Sequence, residues 1–125
     1  MRSLVRFAPV LLLIATLGCQ TTRAGARPDA ERLTRAQMLE GHFTNVYDAV
    51  AAMRSSWLVV RGPDSFTEPS QVWVYFDQTR LGGVDELRTV TVNSVAWIRH
   101  YNGVDATMRW GVGHSAGVIF LSSYR

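Results

Sequence analysis

One pentapeptide near the C-terminus has the letters of a hydrolase. Gly113-His114-Ser115-Ala116-Gly117 matches Gly-x-Ser-x-Gly, in which a sharp turn raises a serine hydroxyl for attack on an ester or amide carbonyl. That chemistry needs a strand before the serine, a helix after it, and an acid and a histidine further along. The residues run the other way. Asp105 to Trp110 reads as a helical turn ended by Gly111, and Val118 to Ser122 reads as a strand. Ten residues follow Ser115, and neither Asp nor His is among them. The pattern instead reads as a tight turn in which Gly111, Gly113 and Gly117 hold backbone shapes that other residues resist. A phosphate-binding loop built on the same glycines fails for the same reason, since it too needs the strand first.

No other set of residues spells out a reaction. His42, His100 and His114 are scattered and have no neighbouring cysteine, so neither a metal nor another cofactor is expected. Asp85-Glu86 fits the first turn of an exposed helix better than a catalytic pair. With no catalytic residue to assign, the chain reads as a non-enzyme. Cys19 is the only cysteine, which removes an internal disulfide.

The surroundings of Cys19 give it a different use. Arg2 and Arg6 precede an apolar run from Phe7 to Leu17, and small Gly18 stands before the cysteine, the layout of a secretory signal. The run falls short of the roughly 20 residues that span a bilayer. Ala15-Thr16-Leu17-Gly18-Cys19 resembles the lipobox of bacterial lipoproteins. The resemblance implies that residues 1–18 are a signal peptide, that Cys19 is lipidated with palmitate-type chains, and that the protein meets the membrane through this anchor. Gln20 after the cysteine implies the outer membrane, with the domain facing the periplasm. An ordinary secretion signal followed by an unrelated cysteine is the alternative.

Cleavage before Cys19 of the 125-residue chain leaves 107 residues, enough for one domain. The mature part keeps eleven arginines against ten acidic residues, with no lysine and no arginine cluster, which argues against nucleic acid as a partner. Residues 19–33 are small and polar and read as a lipidated, disordered tether. The domain then occupies residues 34–125.

Thr34-Arg35-Ala36-Gln37 has a capping-box pattern and predicts a short helix to Gly41. Asn45 to Arg54, with Val46, Tyr47, Val50 and Met53 at helical spacing, predicts a second. Trp57 to Arg61 predicts a strand stopped by Gly62-Pro63. Gln71 to Phe76 is apolar on both sides and predicts an interior strand. Asp77 to Arg80 predicts a turn, and Val84 to Val90 a helical turn carrying Leu87. Val95 to Tyr101 predicts a strand with Val95, Trp97 and Tyr101 on one face and Ala96 and Ile98 on the other. Most of the four tryptophans are expected in the core, with one or two as candidates for an exposed contact patch. Together these elements imply an α+β fold, a mixed sheet of about four strands packed with two or three short helices.

Asp105 to Ser123 resembles the end of the plug domain of TonB-dependent receptors. In that family a small-residue helix ends in aromatic-Gly, and a glycine-rich turn leads into Gly-Val-Ile and a strand. Ala106-Thr107, Trp110-Gly111 and Gly117-Val118-Ile119 stand at those places. Val72 to Asp77 resembles the family's strand before an Asp-Gly turn, with Gln78 replacing the glycine. Leu87 with Val95 to Arg99 resembles a later strand, and Asn45 to Met53 the first helix. In the family a barrel of about twenty-two strands follows the plug, whereas this sequence runs to Arg125. The resemblance therefore implies the plug fold and a habit of binding other envelope proteins, and does not extend to substrate uptake. A structural lipoprotein without a specific ligand, and an exported serine hydrolase using Ser115, are the other two readings.

Overall fold

Alternation along the strands sorts side chains onto two faces of one sheet. A computed structural model describes residues 29–61 and 70–124. Residues 1–28, with Cys19, the expected signal and most of the expected tether, and residues 62–69, where a loop is expected, lie outside the described residues. Five strands form the sheet: β1 (Arg32–Thr34), β2 (Trp73–Phe76), β3 (Thr79–Gly82), β4 (Trp97–Tyr101) and β5 (Val118–Ser122). Their order is β1-β4-β5-β2-β3, with β5 parallel to β2 and every other pair antiparallel. Three α-helices complete an α+β fold: α1 (Arg35–Glu40), α2 (Val46–Met53) and α3 (Gly103–Trp110).

The inner face is aliphatic. Val72, Val74, Leu33, Ile98, Ile119 and Leu121 are buried in one cluster with Met38 of α1 and Val46, Ala49 and Val50 of α2. The caps that start these helices match the chemistry of their first residues. Thr34 and Gln37 close a capping box, with the Thr34 amide donating to Gln37 Oε1 at 2.8 Å. The Asn45 side chain accepts from the Asp48 amide at 2.9 Å. Between strands the chain packs short 3-10 turns on the same face, at Ser55–Leu58, Val84–Arg88 and Val92–Ser94, which bury Trp57, Leu87 and Val92.

Several expectations need correction. Trp57 to Arg61 is not a strand: Trp57 and Leu58 belong to the 3-10 turn, and Val59 and Val60 are exposed. Trp57 is drawn instead onto His100, whose ring it stacks at 5.6 Å. The domain begins before Thr34, because Arg32 and Leu33 of the expected tether form β1 and Leu33 is fully buried. Thr79 and Arg80 are in β3 and not in the turn, which shortens to Asp77-Gln78, with the positive φ of 51° at Asp77. β4 starts at Trp97, so Val95 precedes the strand and shares the core with Ile98, while Trp97 and Tyr101 take the other face. α3 opens at Gly103, capped by Asn102, whose side chain accepts from the Asp105 amide at 3.0 Å.

Candidate functional site

The serine pentapeptide joins α3 to β5, so a helix precedes it and a strand follows. Gly111, Gly113 and Gly117 have φ of 90°, 91° and 101°, in the region that disfavours side chains. Gly117 is the most confined, since a Cβ there would stand 2.8 Å from the Tyr101 carbonyl oxygen. Gly103 makes a second close approach, where a Cβ would overlap the Ser115 carbonyl. The Ser115 hydroxyl makes no hydrogen bond among the described residues. Its neighbour His114 is buried and fully used: Nδ1 lies 3.0 Å from the Gly111 carbonyl and Nε2 lies 2.9 Å from the Tyr75 hydroxyl. A carbonyl only accepts, so in the neutral ring Nδ1 carries the hydrogen and Tyr75 donates to Nε2. His114 is thus a strut that fixes the turn to β2, assisted by Trp73 Nε1 donating to the Gly113 carbonyl at 2.8 Å.

The remaining candidates do not converge. Exposed Asp85 pairs with Arg88 at 3.6 Å within one 3-10 turn. His42 sits at a positive φ of 59° after α1, and His100 is half-buried against Trp57. Burial lowers the His100 pKa below its usual 6.5, with Glu31 opposing and Arg61 reinforcing the shift. No group of three or more His, Cys, Asp or Glu among the described residues could hold a metal. No helix among them is long and apolar enough to cross a membrane.

The outer face of the sheet, where α3 covers only part of a field of rings, goes beyond the one or two exposed tryptophans that the sequence offers. Trp110 stacks on Tyr75 at 5.2 Å and meets Tyr101 edge-on at 5.2 Å. Phe120 in β5 touches Trp97 at 5.7 Å and Tyr101 at 6.4 Å. Of the four tryptophans only Trp57 is in the main core, and Trp73, Trp97 and Trp110 line this outer face. Arginines lie over the rings. Arg109 stands 4.9 Å from Trp110, 5.2 Å from Phe120 and 5.3 Å from Tyr101, and donates to the Tyr101 hydroxyl at 3.0 Å. Arg32 covers Trp97 at 4.6 Å and Arg99 covers Tyr101 at 5.2 Å. Beside them opens a groove of about 330 Å³ lined by Trp97, Phe120, Arg109, Asp77, Ser122 and Tyr124. Asp77 is occupied within it, accepting from the Ser123 amide at 3.0 Å and the Ser123 hydroxyl at 2.7 Å.

A wider hollow of about 770 Å³ runs along exposed Val104 and Met108 of α3 and includes Ser115. It is mostly apolar and has no histidine. The legible signal for the ring face is the run of odd-numbered aromatics in 73–75 and 97–101, whose tryptophans are expected mostly in the core. Comparison with protein-family models, curated proteins and solved structures finds no match to this chain.

Proposed function

We propose that this protein is an outer-membrane lipoprotein, anchored through Cys19, whose plug-like domain is a binding module for another component of the cell envelope. One observation carries the reading: a sheet face of half-buried aromatic rings overlaid by arginines and only partly covered by α3. Tryptophan, tyrosine and arginine are enriched among the residues that carry most of the energy of protein contacts: the rings bury large areas at small entropic cost, and the guanidinium adds a planar fork of donors. The order of hairpin, strand, small-residue helix, glycine turn and strand supports the likeness to the plug of TonB-dependent receptors. Catalysis by Ser115 is disfavoured, because both His114 nitrogens are engaged elsewhere and an unactivated serine is a weak nucleophile.

The test has two arms. Metabolic palmitate labelling should mark the wild-type chain and vanish in Cys19→Ser, which should also leave the membrane fraction. Affinity capture from envelope extract should then yield a reproducible partner that Trp97→Ala loses. Label persisting in Cys19→Ser would remove the anchor, and an empty capture would remove the binding role.

A structural role through self-association is the second reading, favoured by the exposure of Met108 (82%) and Val112 (95%) on and just beyond α3. Sedimentation of the full chain decides it. A dimer that Met108→Glu dissociates would support the structural role.

A further inference from the structure

We propose that the groove on the outer face of β4 and β5 docks an acidic peptide segment, one that presents carboxylates beside an aromatic or aliphatic side chain. This rests on the binding-module reading and names the chemistry of its partner. The first argument is an imbalance of charge. Arg32 and Arg99 are directly opposite each other in the β1–β4 register, a place where like charges repel. Arg109 reaches the same rings from α3.

The described residues pair these three cations with one carboxylate, Glu31. It stands 3.7 Å from Arg99 with both side chains about half-exposed, so the pair is weak. Arg32 and Arg109 have no ion-pair partner among the described residues, and Arg99 Nε is buried without a hydrogen-bond partner. Asp77, the carboxylate lining the groove, is held by the Ser123 amide and hydroxyl and keeps its charge, so the three arginines stand in excess over two carboxylates, Glu31 and Asp77.

The second argument is shape. A guanidinium lying over a ring is held in place, while its N–H groups remain available in its own plane, the geometry that a carboxylate meets with two parallel hydrogen bonds. Trp97 and Phe120 are recessed below the arginines and give the groove an apolar floor. A bilayer would call for apolar groups that protrude beyond the cations. Here the rings lie beneath them, which favours a peptide chain with its own side chain to insert.

The full chain is titrated with the peptide acetyl-Gly-Glu-Phe-Glu-Phe-Glu-Gly-amide, followed by tryptophan fluorescence and calorimetry. Two control peptides carry Lys for every Glu, or Gly for every Phe. The acidic aromatic peptide should bind about tenfold or more tightly than either control, and weaken as salt rises from about 50 to about 300 mM. Arg109→Gln and Arg32→Gln should each lose about tenfold, with melting curves near wild type, while Arg109→Lys keeps part of the affinity. No binding of the acidic peptide, equal binding of either control, or binding untouched by both glutamine variants overturns the proposal.

Flotation of Cys19→Ser with phosphatidylglycerol vesicles, lost in Arg109→Gln and unaccompanied by peptide binding, would assign the face to an anionic bilayer instead. The two readings fail separately. An envelope partner captured equally by wild type and Arg109→Gln leaves the binding module standing without this groove. Peptide binding by a chain that captures no envelope partner does the reverse.

Discussion

The two faces of the sheet are built from different chemistry. The inner face is a closed aliphatic layer in which Val74, Ile98, Ile119 and Leu121 are all shut from solvent. The outer face alternates with it along the same strands, yet its rings are half-buried and its ceiling is made of arginines. Removing aliphatic surface from water stabilises a fold by roughly 25 cal/mol per Å² without regard to direction. Rings with cations above them add little further stability at an exposed site but offer directional contacts to something else. The difference teaches that one face holds the domain together while the other has surface to spare for a partner.

The comparison is tested most severely at Leu121, whose side chain is fully buried on the inner face. Leu121→Ala should cost about 2–5 kcal/mol in chemical denaturation, whereas Arg109→Gln across the same sheet should cost under about 0.5 kcal/mol. Comparable losses would mean that the outer face is also core. The turn that joins α3 to β5 comes next. Gly117→Val combines a φ of 101° with a Cβ 2.8 Å from the Tyr101 carbonyl oxygen, so the expected loss exceeds about 1 kcal/mol. An unchanged melting temperature would show that the turn relaxes freely.

Tyr75→Phe sharpens the role of His114. It keeps the ring that stacks on Trp110 and removes only the hydroxyl at 2.9 Å from Nε2, leaving a buried acceptor unpaired. About 1–2 kcal/mol should be lost, and a neutral result would mean that water replaces the hydroxyl. His100 adds a dependence on pH. Burial lowers its folded-state pKa below 6.5, with Glu31 opposing and Arg61 reinforcing, so the unfolded chain binds the proton more readily. Its contribution is complete above the unfolded value and declines as pH falls from 6.5 towards the lowered folded value. Denaturation midpoints of wild type should fall across that window more than those of His100→Gln, and parallel curves would exclude the effect. The smallest change is expected at Ser115. Ser115→Ala should stay within about ±0.5 kcal/mol, and a fluorophosphonate should leave the wild-type serine unlabelled. Stoichiometric labelling lost in the variant would turn the molecule into an enzyme.

Local chemistry explains which elements were legible. Thr34 with Gln37, and Asn45 with Asp48, announce helix starts because the side chains that cap a helix lie within three residues of it. Val46 and Val50 mark the buried side of α2 through spacing alone. Gly111, Gly113 and Gly117 signal a turn because positive φ is costly for other residues. By contrast, β1 is three residues long and has no period to read, and the β-branched pair Val59-Val60 suggests a strand where both side chains are exposed.

The sequence by itself therefore determined the α+β class, the helix caps, the glycine turn and the direction in which chain enters and leaves Ser115. Tertiary structure alone decided which aromatics are core, where His114 spends its nitrogens, and that Arg32, Arg99 and Arg109 meet over one set of rings. Caps and turns are settled by residues a few positions apart. The arginine face joins an edge strand, an interior strand and a helix separated by up to 77 positions (32 to 109), and only the pairing of β1 with β4 and the folding of α3 across β5 bring them together.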